Sequence, residues 1–183
     1  MEVDLRRAMR NFATGVCVVT TYRDGPDGRG HDAVTVNSLT SVSLDPPLVS
    51  MCLRHDSSFL EDLLTTKLWA VSILDVGADD IASAFAKSRA SRAAAMCTLS
   101  ATLGERTGAL LLESPSWLEC GLRQHFQVGD HILLIGNVLA AGTQERRPPL
   151  VFLQGAYHAV QKARPNWLNP ASAGHPPAQN GEV

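Results

Sequence analysis

The run from Ala33 to Leu53, AVTVNSLTSVSLDPPLVSMCL, constrains this chain more than any other stretch. Alternate positions place Thr35, Asn37, Ser41 and Ser43 on one face and Val34, Val36, Val42 and Leu44 on the other, the period of a half-buried strand. The polar face carries no charge. Alternation stumbles at Ser38 to Thr40, which predicts a bend or bulge. Asp45-Pro46-Pro47 stops the strand, because proline lacks an amide hydrogen and fixes its own φ. Leu48 to Leu53 is apolar apart from Ser50 and reads as a central strand buried on both sides. A row of short hydroxyls and amides beside such a strand suits a flat polar ligand that carries phosphate.

Asp4 caps an expected short helix with Leu5, Ala8, Met9 and Phe12 on its apolar side and Arg6, Arg7 and Arg10 in water, closed by Gly15. Val16 to Thr21 is β-branched almost throughout and reads as the first strand, joined to the focal strand by a long, mobile Asp24–Gly30 loop. After Leu53, Ser58 and Glu61 have the spacing of a capping box and predict a helix from Ser58. Ser57 and Ser58 either cap that helix or, with its free amides, receive a phosphate. Trp69 to Leu74 is a further strand, and Asp79-Asp80 opens a helix that ends near Lys87-Ser88-Arg89. Cations there either complement the helix dipole or reach a phosphate. Ala90 to Thr107 is alanine-rich with few large apolar residues and is expected to be a mobile segment over the site.

Trp117 to Leu122 and Ile132 to Leu139 read as strands joined by a Gly129-Asp130 corner. His131 stands at the start of the second, either leaning over a cleft or bonded to nearby backbone. Leu150 to Leu153 forms the last core strand, continued by Gly155 to Val160. The domain is expected over 1–163, with a flexible tail over 164–183 where composition shifts to Pro, Asn, Ala and Gly. About seven strands and three short helices without a βαβ rhythm give a mainly β, antiparallel barrel with peripheral helices rather than a doubly wound sheet. A Gly-rich dinucleotide fingerprint is absent, so any nucleotide is held another way.

A net charge of −2 with scattered arginines and few aromatics argues against nucleic acid as partner. Cys17, Cys52, Cys97 and Cys120 lack metal-site spacing and read as free thiols of a reducing compartment. No apolar run reaches the roughly 20 residues of a membrane helix, and the expected location is the cytoplasm.

Four segments together resemble the flavin reductase family, whose fold is the FMN-binding split barrel. They are Phe12 to Thr20 (FATGVCVVT), Thr35 to Val49 (TVNSLTSVSLDPPLV), Gly129-Asp130-His131, and Pro149 to Phe152 leading to Gly155-Ala156-Tyr157. Order and spacing match from Leu5 to Val160, although Ala33-Val34 stands where many relatives have Gly-Met.

The resemblance implies a homodimer that binds FMN or FAD noncovalently near the subunit interface. It places the isoalloxazine along Thr35, Val36, Asn37 and Ser38 and at Ser41 and Val42, with Cys52 and Leu53 close by. It assigns the phosphate to Ser57, Ser58 and the segment Phe85, Ala86, Lys87 to Arg89, the nicotinamide to His131, and the pocket wall to Tyr157. The implied activity is hydride transfer from NADH or NADPH to flavin, with reduced flavin passed to a separate monooxygenase. The residues present suit this, since the cofactor carries the hard chemistry and the protein positions two rings. Two other readings share the barrel: an oxidase, like pyridoxamine-phosphate oxidase, that retains its flavin, and a non-catalytic flavin-binding module.

Overall fold

The computed structural model describes residues 3–144 and 147–160, so the expected tail over 164–183 lies outside the described residues. In chain order the elements are α1 (Leu5–Met9), β1 (Thr14–Gly15), β2 (Cys17–Gly25), β3 (Gly28–Val36), β4 (Thr40–Leu44), β5 (Pro47–Arg54), α2 (Ser58–Thr66) and β6 (Leu68–Ile73). Then come α3 (Asp79–Phe85), α4 (Arg89–Met96), β7 (Ala101–Leu103), β8 (Leu110–Leu112), β9 (Ser116–Val128), β10 (His131–Thr143), β11 (Leu150–Leu153) and β12 (Ala156–Ala159). Seven strands form one antiparallel sheet in the order β3-β2-β6-β9-β10-β5-β4. A smaller sheet, β1-β11-β12, and the β7–β8 hairpin complete the mainly β architecture expected.

β3 and β4 occupy opposite ends of the large sheet's pairing order, yet only Asn37, Ser38 and Leu39 separate them in sequence. The sheet must therefore curl until its two edges meet, and it does so without a ladder between them. The stumble in alternation at Ser38 to Thr40 marks this crossing rather than a bulge within one strand. β2 is buried on both faces: Cys17 and Val19 join one core with Trp69, Phe59, Met51 and Leu134, while Val16 (just before it) and Val18 join a second with Leu74, Phe85 and Leu150. Gly136 lies at a register shift in β10, where a Cβ would run into the Trp69 ring, so only glycine lets that indole fill the first core.

Several expectations need correction. Val42 and Leu44 face solvent, 50% and 88% exposed, because β4 is an edge strand and its inward and outward positions carry the same alternation as a core strand. β5 is buried on one face only: Val49, Met51 and Leu53 point inward, while Leu48, Ser50 and Cys52 are half-buried. The Asp24–Gly30 stretch is no long loop. Its ladder runs to Gly25 opposite Gly28, closed by Pro26-Asp27; the Arg29 guanidinium grips Asp24 at 2.7 Å and lies 3.7 Å over the Tyr22 ring. Asp4 does cap α1, accepting from the Arg7 amide at 2.9 Å, but the helix ends at Met9, Gly15 pairs with Val151, and Leu5, Met9 and Phe12 are all exposed. Gly155 to Val160 does not prolong the strand before it: the chain reverses through Gln154 and Gly155, both at positive φ, and β12 pairs back on β11.

The alanine-rich segment is also ordered. It forms α4, and Arg92, the buried residue of that helix, sends Nε and NH2 to the two oxygens of Asp32 on β3 at 3.0 and 2.7 Å. Alanine has the highest helix propensity, so the helix needs few large apolar residues once an ion pair fastens it.

Candidate functional site

The link between β3 and β4 forms the floor of a cavity of about 540 Å³. Thr35, Val36, Asn37 and Ser38 line it from one side, Cys52 and Leu53 from β5, Ser57 from the start of α2, Lys87 from the α3–α4 turn and His131 from the start of β10. Hydroxyls expected to face a ligand are engaged elsewhere. Thr35 Oγ1 donates to the Ala82 carbonyl at 2.6 Å, and Ser38 Oγ both accepts from the Cys52 amide at 3.0 Å and donates to the Cys52 carbonyl at 3.2 Å. They fix the link to α3 and β5. Among the described residues the amides of Asn37, Ser38 and Leu39 meet no carbonyl, and the Asn37 side chain is exposed. The ledge therefore presents backbone donors and one carboxamide, with no charge.

A second cavity, about 200 Å³, adjoins the first through Thr35, Val36 and Asn37 and is walled by Ala86, Phe152 and Tyr157. The Tyr157 ring packs 5.6 Å from Phe152. Burial raises its phenol pKa, opposed by a hydrogen bond with Ser83. A larger cavity, about 680 Å³, lies at the β7–β8 hairpin. Its wall mixes Glu105, Arg106, Glu113 and Glu119, and Glu119 Oε1 is already taken by the Arg106 and Thr107 amides and the Thr107 hydroxyl. That wall is charged and used for structure, unlike the neutral ledge.

At the cationic end, α2 begins at Ser58, but its N-cap is Ser57 and no side chain caps it, so the capping box is not formed. The Ser57 hydroxyl stays available beside Lys87 and Ser88. Arg89 is turned aside: NH2 bonds Asp62 at 2.7 Å, NH1 reaches the Ser58 carbonyl at 3.4 Å, and Nε lies 4.0 Å from Asp32. Arg54 and Asp56, which sequence reasoning missed, also line the cavity and pair at 2.7 Å; the only local signal was their two-residue spacing at the end of β5.

His131 opens β10 opposite Arg54 on β5, and its Nδ1 lies 2.8 Å from Asp130 Oδ1. This bond holds the Asp130 carboxyl below the usual carboxylate range. A carboxylate can only accept, so Nδ1 carries the hydrogen and Nε2 is left for a ligand. Five of the expected residues stand apart from both cavity walls. Ser41 and Val42 lie on the exposed edge strand, Phe85 is buried in the second core at 2% exposure, and Ser58 and Arg89 sit behind Ser57 and Lys87.

Residues 9–161 match the flavin reductase-like domain family. The chain belongs to the flavin reductase-like family. It is 37% identical over 158 residues to the NADH-dependent FAD reductase of Streptomyces globisporus, covering 85% of this chain and 84% of that protein. It is 35% identical over 156 residues to the NADH-dependent flavin reductase StyB of Pseudomonas fluorescens, covering 84% and 86% respectively. The styrene monooxygenase flavin reductase of Pseudomonas putida S12 superposes with a TM-score of 0.74 at 30% identity, over 88% of this chain and all of that one.

A flavin fits what this flavin reductase-like chain offers. Its ring system is flat and hydrogen-bonds along its pyrimidine edge, which suits uncharged backbone donors, and Ser57 and Lys87 put a hydroxyl and a cation, the groups a phosphate would need, on the same cavity wall. Among the described residues no helix is long and apolar enough to cross a membrane.

Proposed function

We propose that this chain is an NADH- or NADPH-dependent flavin reductase that reduces FMN or FAD and supplies the reduced flavin to a separate monooxygenase. The observation that carries the reading is the neutral ledge of unpaired amides at Asn37 to Leu39, with Lys87 and His131 lining the same cavity. When bound, the flavin takes two electrons from a reduced nicotinamide as a hydride, leaving the oxidised nicotinamide. The remaining work is positioning.

In this reading Asn37 and the link amides hold the flavin's polar edge, and Ser57 and Lys87 hold its phosphate, with Arg89 supporting the α2 start. Cys52 and Leu53 exclude water from beneath the ring, and Ala86 and Tyr157 close the adjoining wall. His131 faces the nicotinamide, its Nδ1 proton held by Asp130 so that Nε2 keeps one orientation. Ser41 and Val42 reach flavin only through a second subunit. A homodimer suits the exposed apolar residues Val42 and Leu44 on the β4 edge and Phe126 and Val128 at the end of β9. Four free thiols suit the cytoplasm.

The deciding experiment is an anaerobic assay of NADH and of NADPH oxidation, each with FMN, FAD and riboflavin. Nicotinamide oxidation that depends on added flavin is expected. No rate above the protein-free control with any of the six pairs would overturn the reading.

A further inference from the structure

The cavity of about 680 Å³ at the β7–β8 hairpin shares no lining residue with the two cavities along the ledge. Glu119 of β9 stands on its wall at 1% exposure. The turn from Gly104 to Ala109 closes on one oxygen of this carboxylate. The Arg106 amide donates to Oε1 at 2.9 Å, the Thr107 amide and hydroxyl donate to it at 2.8 Å, and a Cβ on Gly104 would run into the same atom. Oε2 accepts no hydrogen bond among the described residues and is not fully enclosed, so it opens onto the cavity. One half of a buried carboxylate is held by three donors, and the other half faces a hollow.

A buried carboxylate oxygen without a donor is costly, and a cation relieves that cost best. The surrounding wall supplies none to spare. Arg147 holds Glu113 at 3.2 Å and Arg106 offsets Glu105, which leaves the charge of Glu119 in excess. A metal ion does not suit the place, since among the described residues no three His, Cys, Asp or Glu side chains are grouped to hold one. Much of the remaining wall is apolar. Leu111 and Leu112 line it, and Trp117 has its indole against Gly142, where any Cβ would strike the ring. Tryptophan is the aromatic side chain that attracts a cation most strongly. We propose that this cavity binds a primary arylalkylammonium, its nitrogen on Glu119 Oε2 and its ring against Trp117 and Leu111. An ammonium is a point charge that one oxygen can satisfy, whereas the guanidinium fork is matched to both oxygens of a carboxylate. The volume lies within the roughly 300–1,000 Å³ of ligand pockets.

The test is calorimetric titration of the full chain with phenethylammonium, with hydrocinnamate, an anion of similar body, as control. The ammonium is expected to bind with a Kd of about 1 mM or below and to raise the thermal midpoint by about 4 °C at about ten times Kd, and the anion to do neither. Glu119→Gln is the decisive variant. Its amide oxygen can keep the three bonds of the Gly104–Ala109 turn, while its amide nitrogen, a donor, takes the place of Oε2. Affinity for the ammonium should fall about tenfold or more. Equal affinity in wild type and variant, equal affinity for the anion, or no binding up to about 10 mM would overturn the proposal. If the variant does not fold, NMR of the wild-type indole N–H groups decides. The ammonium should move the Trp117 signal and leave that of Trp69, in the first core, in place; an unmoved Trp117 signal at saturation overturns the site.

Discussion

Removing Arg92 tests how Lys87, proposed to hold the flavin phosphate, is kept at the cavity. Its side chain and that of Asp32 are 8% and 7% exposed, joined by two bonds, and Arg92 NH1 also donates to the Lys87 carbonyl at 3.0 Å. Breaking a buried pair by deleting one partner costs about 3–5 kcal/mol, because the other charge stays buried. In Arg92→Ala, Asp32 keeps the Ala33 amide at 2.8 Å and Arg89 at 4.0 Å, which places the loss at the lower end, about 3 kcal/mol. With a urea m-value of about 2 kcal/mol/M the midpoint should fall by about 1.5 M at unchanged slope. The double variant Asp32→Leu/Arg92→Met, which removes both charges, should recover most of that loss. Function should follow selectively. Losing the Lys87 tether frees the α3–α4 turn, so FMN affinity should drop while riboflavin, which has no phosphate, binds nearly as before. An Arg92→Ala midpoint within about 0.3 M of wild type, or equal losses for FMN and riboflavin, would refute the reasoning.

Gly136→Ala puts a methyl into the Trp69 ring and should cost about 1–3 kcal/mol, read as a lower thermal midpoint with the flavin site intact; unchanged stability would mean that the indole has room to move. His131→Ala should lower kcat/KM for the nicotinamide about tenfold or more at unchanged flavin affinity, and Asp130→Asn should do so less severely by releasing the ring; wild-type steady-state rates in both would remove His131 from the mechanism. Burial pushes the Cys17 thiol up to about 12, and burial together with the Glu119 charge does the same for Cys120, so at pH 8 both are protonated. A native chain should then release two of its four thiols to a thiol reagent, Cys52 and Cys97, with saturating FMN protecting Cys52. Equal Cys52 labelling with and without FMN would count against flavin over β5.

Much of this architecture was legible from two-residue periodicity and turn chemistry, since strands and their stops are local. What failed was non-local. Val42 and Leu44 alternate as core residues do, and nothing within five residues reports that β4 ends a sheet. The Asp24–Gly30 cluster contains enough turn formers for a loop, but a cross-strand Arg29–Asp24 pair stacked on Tyr22 extends the ladder instead. α4 is fastened by an aspartate sixty residues earlier in the chain, for which no spacing rule exists. The convergence of Ser57, Lys87 and His131 came from the family resemblance, not from periodicity, because three elements distant in sequence supply them. The fate of the Thr35 and Ser38 hydroxyls was invisible for the same reason: their partners, Ala82 and Cys52, lie across the fold.

Those two hydroxyls explain why an unpaired seam can be a precise site. In a fully closed barrel each strand amide is spent on a neighbour, whereas a seam leaves amides exposed and also leaves the edge free to move. Here Thr35 ties one side of the seam to α3 and Ser38 ties the other to β5, so the amides between them are both unspent and fixed. Donors held in place this way lose little freedom when a ligand arrives. Ser38→Ala tests the idea, because its hydroxyl is committed to Cys52 and can act on the flavin only through the backbone. The variant leaves the Cys52 amide and carbonyl without their partner, at a cost of about 1–3 kcal/mol in stability, and lets the link drift. Flavin affinity should fall about tenfold for FMN and riboflavin alike, since the ring and not the phosphate loses its donors, and Ser38→Thr, which keeps the hydroxyl, should restore most of it. Destabilisation with flavin affinity unchanged would show that the seam needs no such tether to present its amides.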